Sequence, residues 1–133
     1  MNRNRFLIIS IDALVYEDIE HFCKQPNFRD FFKGSSMVNR MKTVYPSLTY
    51  PAHTSIISGM YPDKHGISHN ELYSVRREGP AVWEWYADAI KTPTLYDYAK
   101  EAGYSIGNVY WPVQACGRID YNIPEIWPPH PDD

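Results

Sequence analysis

Cysteine is scarce in this sequence, and long apolar runs are missing. The 133 residues include 2 cysteines, Cys23 and Cys116, which form no CxxC pair. This excludes a disulfide-rich secreted scaffold and gives no indication of a cysteine zinc site. No apolar run approaches the roughly 18 residues that a membrane-spanning helix needs. We therefore predict no membrane span within this segment.

An excess of charge of one sign is also missing. The formal net charge is -3, and acidic and basic residues are interspersed along the chain. A nucleic-acid partner is therefore not expected, and an anionic substrate would have to be bound locally, in the first instance by a metal. The hydrophobic share of 44% and the aromatic share of 15% are ample for one packed domain.

The start of the chain leaves the compartment open. The charged residues 1–5 resemble the beginning of a signal peptide, but the apolar run that follows is interrupted by Ser10 and ended by Asp12. We expect a cytoplasmic protein if Met1 is the native start, and an exported one if a signal has been removed.

Strand and helix patterns alternate along the chain. Residues 6–11 form a continuous β-branched run, typical of a strand buried in a parallel sheet. Residues 16–32 predict two short helices, broken at Pro26 and ended by Gly34. Further along, the pattern predicts a strand at 36–44, a helix at 51–60, a long loop at 68–90, a helix from Thr92 to Gly103, a strand at 104–110 and a loop after Trp111.

This alternation predicts an α/β fold with a doubly wound, mostly parallel sheet, whose ligands bind at the carboxyl ends of the strands. The chain stops at Asp133 without a closing helix or strand. We therefore expect an incomplete sheet in this segment. An exposed strand edge would allow the segment to self-associate.

Asp12 is the first residue with chemical potential. It directly follows the apolar run, where burial of a carboxylate is costly unless a cation or several hydrogen bonds compensate for it. A metal ligand is one interpretation. An N-cap or turn aspartate for the following helix is the other, and the residue alone does not separate them.

Thr49 lies two residues before Pro51, which can open a helix. A hydroxyl at a helix N-terminus faces unpaired N–H groups that favour a phosphate, and an adjacent metal could activate it as a nucleophile. By local rules alone, however, a threonine in this position is more often an N-cap.

The longer pattern favours the nucleophile. It comprises Ile8 to Leu14 around Asp12, Thr49-Tyr-Pro-Ala-His53, Ser58-Gly-Met-Tyr-Pro-Asp-Lys-His65-Gly-Ile67, Asn70 and Tyr110-Trp-Pro112. In order and spacing these residues resemble the nucleotide pyrophosphatase/phosphodiesterase (type I phosphodiesterase) family of the alkaline phosphatase superfamily. The resemblance runs from about Phe6 to Trp127 and is densest from Thr49 to Ile67. It implies that residues 1–133 are the N-terminal part of one alkaline phosphatase-like catalytic domain.

The resemblance also implies roles for individual residues. Asp12 would bind one of two divalent metal ions, most simply zinc, and Thr49 would be the nucleophile that also touches that metal. Asn70 would bind a phosphate oxygen and stabilise charge in the transition state. Tyr50 would stack on a nucleotide base, and Trp111 would line the substrate cleft. The substrate would be a small-molecule phosphoester, with nucleotides among the candidates.

Some of these residues have structural alternatives. Tyr50 and Trp111 could belong to the core. The resemblance places none of His53, His65 and His69 in the metal shell. We interpret His53 as bracing the nucleophile turn, and His65 as fixing the turn at Gly66.

Departures from the family pattern bear on the substrate and the metals. Ala13 and Ala52 stand where the family commonly has glycine and asparagine, and Leu48 stands where many nucleotide-cleaving members have lysine. These changes weaken the prediction of a nucleotide substrate. Two zinc ions need about three protein ligands each, more than Asp12 and Thr49 supply. Asp120, His130, Asp132 and Asp133 do not match the family's downstream metal motifs, so the remaining ligands are expected outside this segment.

Two classes of function follow. The first is a metal-dependent hydrolase of phosphodiester or pyrophosphate bonds with a covalent intermediate on Thr49, of which the isolated segment is expected to be inactive. Phosphomonoesterase, phosphonate hydrolase and phosphomutase are alternatives within the superfamily. The second class is a non-catalytic binding module, which applies if the chain truly ends at Asp133.

Overall fold

The computed structural model describes residues 4–38, 40–73 and 81–126. The chain divides into two compact units, Met1–Lys42 and Thr43–Asp133. In the first unit the helices are α1, Tyr16–Lys24, and α2, Pro26–Phe32. In the second unit the elements are α3, Thr49–Ser58; α4, Pro62–His65; a 3-10 turn, Ala87–Ala89; α5, Leu95–Glu101; and the strands β1, Gly107–Val109, and β2, Tyr121–Ile123.

The two helices of the first unit confirm the prediction for residues 16–32. Pro26 opens α2, because its missing N–H is not needed in the first turn of a helix. Gly34, in the left-handed conformation at φ +81°, follows the end of α2. The rings of Phe22 and Phe28, one from each helix, lie 4.7 Å apart between centroids and join α1 to α2.

The two strands predicted for the first part of the chain are wrong for the described residues. Residues 6–11 form neither helix nor strand, and their apolar side chains are exposed, with Leu7 at 83%. Residues 36–44 likewise contain no strand among those described. The apolar pattern was compatible with a buried strand, but a strand forms only beside a neighbouring strand, and the described part of the first unit contains no strand.

The core of the second unit forms around Tyr50, Ile67 and Val113, all of which are buried. Tyr50 comes from the first turn of α3, which begins two residues before the predicted start at residue 51. Gly59 ends this helix in the left-handed conformation at φ +67°. Half-buried side chains pack around the three central residues: Trp83, Trp85, Ala89 and Ile90.

Helix α5 and strand β1 confirm the later helix and strand predictions with shorter bounds. Thr94 precedes α5, and the Asp97 carboxylate accepts hydrogen bonds from both the N–H and the hydroxyl of Thr94, at 2.8 and 2.9 Å. Strand β1 lies within the predicted range 104–110.

The loop predicted after Trp111 is wrong in one respect, because it contains strand β2. This strand pairs in parallel with β1, with Gly107 opposite Tyr121. Asp120, just before β2, accepts the N–H of Ile106 at 2.8 Å and pairs with Lys100 of α5. The hydrogen bonds from Lys100 and from the Ile106 N–H lower the pKa of the Asp120 carboxyl. Three residues were too few, beside several prolines, to signal a strand.

Helices and a small parallel sheet together confirm the α/β class. The doubly wound arrangement of a larger sheet, the single catalytic domain and self-association stay predictions. Among the residues described, no helix has the length and apolar character needed to cross a membrane.

Candidate active site

The first turn of α3 carries Thr49. Leu48 occupies the N-cap position and makes no side-chain cap, so the predicted alternative of Thr49 as the N-cap residue is not what the structure has. Thr49 is instead the first helical residue, and its side chain is half-buried. Pro51 has no N–H, and the N–H of Ala52 already donates to the Leu48 carbonyl at 3.1 Å. Few N–H groups of this turn therefore need a partner from outside the helix.

Asn70 supplies the missing cap from a distant part of the sequence. Its Oδ1 accepts the N–H of Tyr50 at 2.9 Å, across 20 residues of chain. This bond satisfies an N–H group that the helix itself cannot pair. It also brings two residues of the predicted site together, because the group that Asn70 binds belongs to the residue immediately after Thr49.

His53, one turn later in α3, and Trp111, after strand β1, support the same turn. Nδ1 of His53 lies 2.8 Å from the carbonyl oxygen of Thr49, one turn earlier, which confirms the interpretation of His53 as a brace. The buried ring of Trp111 packs edge-on against the His53 ring, with centroids 5.2 Å apart. Trp111 thus packs on His53, which in turn contacts Thr49, so its position in this structure is a structural one. Its predicted contact with substrate stays a prediction.

His65 fixes the turn that leads from α4 to the Asn70 loop. It is fully buried, its Nδ1 accepts the N–H of Ile67 at 3.1 Å, and its Nε2 lies 2.9 Å from Oγ of Ser55 in α3. Because Nδ1 accepts, the neutral ring carries its proton on Nε2. Burial lowers the pKa of His65, against smaller opposing effects of the Pro51 carbonyl and the Asp63 charge. The interpretation of His65 as a structural residue of this turn is confirmed.

Tyr50 is completely buried, which matches the structural alternative for this residue. Its ring contacts the rings of Trp83 and Trp85, with centroids 5.4 and 6.3 Å away. Burial first, and then the negative charge and hydrogen bonding of Glu125, raise the pKa of the Tyr50 hydroxyl. The predicted stacking on a nucleotide base stays a prediction, and in this conformation the ring has no exposed face for it.

The two tryptophans are site neighbours that the sequence interpretation missed. They stand two residues apart, in a segment without clear periodicity, and their rings stack at 5.6 Å and 14°. The signal that could have found them is the alternation Trp83-Glu84-Trp85, which sends both rings to the same side of an extended segment.

Asp12 belongs to the first unit, whereas Thr49 and Asn70 belong to the second. Its side chain is exposed, and its Oδ1 accepts the N–H of Ala13 at 3.0 Å. Ala13 has a positive φ of 57°, so this contact lies in a tight turn. The local geometry is that of a turn aspartate, and the metal-ligand role stays a prediction.

The donor set of the described residues does not fit a pair of zinc ions. Across residues 4–38, 40–73 and 81–126, no group of three or more His, Cys, Asp and Glu side chains could hold a metal ion. A structural or catalytic zinc ion takes at least about three protein ligands. His130, Asp132 and Asp133 lie outside the described residues.

The hydrogen bond between Asn70 and Tyr50 should contribute to the stability of the folded protein. Asn70→Ala removes the acceptor of an N–H group in the first turn of α3, and we expect the free energy of unfolding to fall by about 1 kcal/mol. Asn70→Asp is the matched control, because it keeps an oxygen at this position and places a negative charge at a helix N-terminus. Urea unfolding of the three proteins measures the difference. Equal stability of wild type and Asn70→Ala would contradict the capping role.

Comparison with known proteins identifies the family. The type I phosphodiesterase / nucleotide pyrophosphatase family matches residues 6–133. Human ectonucleotide pyrophosphatase/phosphodiesterase family member 1 is 33% identical over 88 residues, which cover 60% of this chain and 9% of the human protein. A bis(5'-adenosyl)-triphosphatase of Xenopus laevis is 27% identical over 113 residues, which cover 81% of this chain and 24% of that protein.

Structural comparison gives the same fold. The structure of murine ectonucleotide pyrophosphatase/phosphodiesterase 5 superposes with a TM-score of 0.60 at 21% identity, over 80% of this chain and 30% of the murine chain. The chain thus spans between 9% and 24% of the length of the human and frog relatives. The resemblance predicted from the motifs is confirmed. The chain belongs to the type I phosphodiesterase / nucleotide pyrophosphatase family.

Proposed function

We propose that the protein containing this chain hydrolyses phosphodiester or pyrophosphate bonds through a covalent intermediate on Thr49. One observation carries the proposal furthest: the Asn70 side chain binds the N–H next to Thr49, at the N-terminus of α3. A helix N-terminus favours a phosphate, because the positive end of the helix dipole lies there. Family membership supports the class of reaction.

In the proposed reaction the hydroxyl oxygen of Thr49 attacks phosphorus in line with the leaving group. The new O–P bond forms as the bond to the leaving oxygen breaks; the leaving group departs with the bonding electrons, and the proton of the Thr49 hydroxyl passes to solvent. Water then attacks the phosphorus of the Thr49 ester, the Thr49 oxygen leaves and takes up a proton, and the product is released as a phosphomonoester from a diester or pyrophosphate substrate. The half-buried position of Thr49 and the brace from His53 on its carbonyl oxygen support an attacking group held in one place.

Asn70 is proposed as the group that stabilises the developing negative charge. Its Oδ1 is already engaged by the N–H of Tyr50, so the amide orientation leaves Nδ2 as the end that donates. A donor held by a second, fixed hydrogen bond needs little reorganisation when charge develops on a phosphate oxygen. Asn70 therefore has a structural bond at one end and a proposed catalytic one at the other.

Two observations bear on the substrate class: the relatives of this chain, and the position of Leu48, where the chain departs from the family pattern. One relative is a bis(5'-adenosyl)-triphosphatase, and others are ectonucleotide pyrophosphatase/phosphodiesterases. We therefore propose a small-molecule phosphoester of the nucleotide type. Leu48 has no charge with which to contact a second phosphate of the substrate. A substrate that contains only one phosphate is therefore also compatible with this residue. Phosphomonoesterase, phosphonate hydrolase and phosphomutase activities are the alternatives within the superfamily.

Two divalent metal ions, with zinc as the first candidate, belong to this proposal. Asp12 and Thr49 are the proposed ligands in this chain, supported by their match to the family motif. The other ligands would have to come from outside the described residues, since these contain no three-donor group.

Substitution of Thr49 tests the proposed nucleophile. In the complete protein, Thr49→Ala should lower turnover of a nitrophenyl phosphodiester by roughly 10³-fold or more, because the covalent route loses its attacking atom. Thr49→Ser, which keeps a hydroxyl, is the matched control and should retain measurable turnover. Release of nitrophenol from mono- and diester substrates on one preparation measures the effect and separates the alternatives. An alanine variant with wild-type rate would overturn the assignment.

Metal removal tests the proposed cofactor. We expect exhaustive chelation of the complete protein to abolish phosphodiester turnover, and added zinc to restore it, because metal ions stabilise charge on the phosphate oxygens. Elemental analysis of the purified protein gives a readout that is independent of activity. Full turnover in a preparation free of divalent metal would contradict this part of the proposal and leave the Thr49 test intact.

A further inference from the structure

The loop that carries Asn70 is held by the extended segment 82–85. Leu72 donates its N–H to the Val82 carbonyl at 2.8 Å, and Glu84 donates its N–H to the Asn70 carbonyl at 2.9 Å. These two bonds flank an antiparallel bridge between Glu71 and Trp83. The two neighbours of Trp83 therefore hold this loop, with Glu84 bonded to the backbone of Asn70 and Val82 bonded to that of Leu72.

The ring of Trp83 reaches the other partner of the Asn70 hydrogen bond. It meets the Tyr50 ring nearly edge-on, at 5.4 Å between centroids and 65° between planes. It also stacks on Trp85, at 5.6 Å between centroids. Aromatic pairs in these geometries contribute beyond the burial of their area. The Trp83 ring thus sets the distance between the segment 82–85 and the first turn of α3.

These contacts form a closed set that links Tyr50, Asn70 and Trp83. The N–H of Tyr50 binds Oδ1 of Asn70, the backbone around Asn70 binds the segment of Trp83, and the Trp83 ring returns to the Tyr50 ring. Asn70 is held at its side chain by Tyr50 and at its backbone by Glu84, and Trp83 packs on the Tyr50 ring and directly precedes Glu84. A shift of this ring would change the position of Asn70 relative to Thr49 without any contact between Trp83 and the reacting atoms.

We propose that Trp83 is a positioning residue for Asn70, which it keeps in register with Thr49 through the Tyr50 ring. This inference rests on the proposed function where it concerns catalysis. Its geometric part, the dependence of the Asn70 to Tyr50 hydrogen bond on Trp83, stands without an assumption about activity.

Trp85 offers a matched control within the same cluster. It is also half-buried and contacts the Tyr50 ring at the longer distance of 6.3 Å. Its carbonyl, however, accepts the N–H of Ala115 at 2.9 Å, whereas the bonds to the backbones of Asn70 and Leu72 come from Glu84 and Val82. A substitution at Trp85 thus removes a ring from the same cluster, but it leaves the residues that bond to the Asn70 loop, Val82 and Glu84, and the ring of Trp83 in the chain.

A double-mutant cycle in the complete protein tests the catalytic part. Trp83→Met keeps an apolar side chain and removes the ring, and we expect kcat for a phosphodiester to fall about tenfold with KM nearly unchanged, less than the roughly 10²-fold that a displacement of 1 Å can cost. In an Asn70→Ala background the same substitution should have almost no further effect on kcat, because the group that it positions is absent.

Two control variants separate a positioning role of Trp83 from a general effect on the core. Trp85→Met should give a loss in kcat that stays the same whether Asn70 is present or replaced. Trp83→Phe keeps an aromatic ring against Tyr50 and should recover most of the wild-type kcat. It also serves as the second variant should Trp83→Met fail to fold. Losses at Trp83 that add fully to that of Asn70→Ala, or equal coupling of Asn70 to Trp85, would overturn the proposal.

Hydrogen exchange of the Tyr50 amide tests the geometric part without any substrate. Mass spectrometry with fragmentation to single residues should find faster exchange at this amide in Asn70→Ala and in Trp83→Met, and a smaller increase in Trp85→Met, whose ring lies farther from Tyr50. Unchanged exchange in Trp83→Met would overturn the inference. A wild-type protein without phosphodiester turnover would instead overturn the proposed function, since the exchange pattern does not depend on it.

Discussion

The hydrogen bond from the Tyr50 N–H to Oδ1 of Asn70 is the interaction on which the candidate site depends. Helix α3 begins without a side-chain cap of its own, because Leu48 occupies the capping position and Pro51 follows inside the first turn. A group from another part of the chain can therefore complete the helix start. The same bond that stabilises the helix brings an amide to the residue beside the proposed nucleophile, so stability and site geometry share one contact.

Burial of Tyr50 and His65 explains why this contact is held in place. Tyr50 is the centre of the core of the second unit, and its ring packs against two tryptophans. His65 joins α3 to the turn before Asn70 through bonds at both ring nitrogens. A buried, neutral histidine at this point suits a structural bond better than a charge, because burial disfavours the charged ring. Two packed side chains, Tyr50 and His65, thus hold the Asn70 loop in place.

The sequence predicted local elements well where side chains near one another decide them. Pro26, Gly34 and Gly59 mark real helix boundaries, and the motif around Thr49 indicated both the helix and the family. Partners distant in sequence were harder. The run at residues 6–11 has the composition of a buried strand, yet composition does not supply a neighbouring strand. The pairing of Trp83 with the Asn70 loop depends on contacts that no local pattern encodes.

The residue roles separate in the same way. The motif placed Thr49 and Asn70 in one site, and their proximity follows from the capping bond. It gave no hint that Tyr50 would be enclosed by Trp83 and Trp85, because burial is a property of the assembled core.

The proposed function depends most directly on the covalent intermediate at Thr49. Rapid acid quenching of the complete protein during phosphodiester turnover, followed by proteolysis and mass spectrometry, should find the added phosphoryl or nucleotidyl mass on Thr49. An adduct on any other residue would contradict the account.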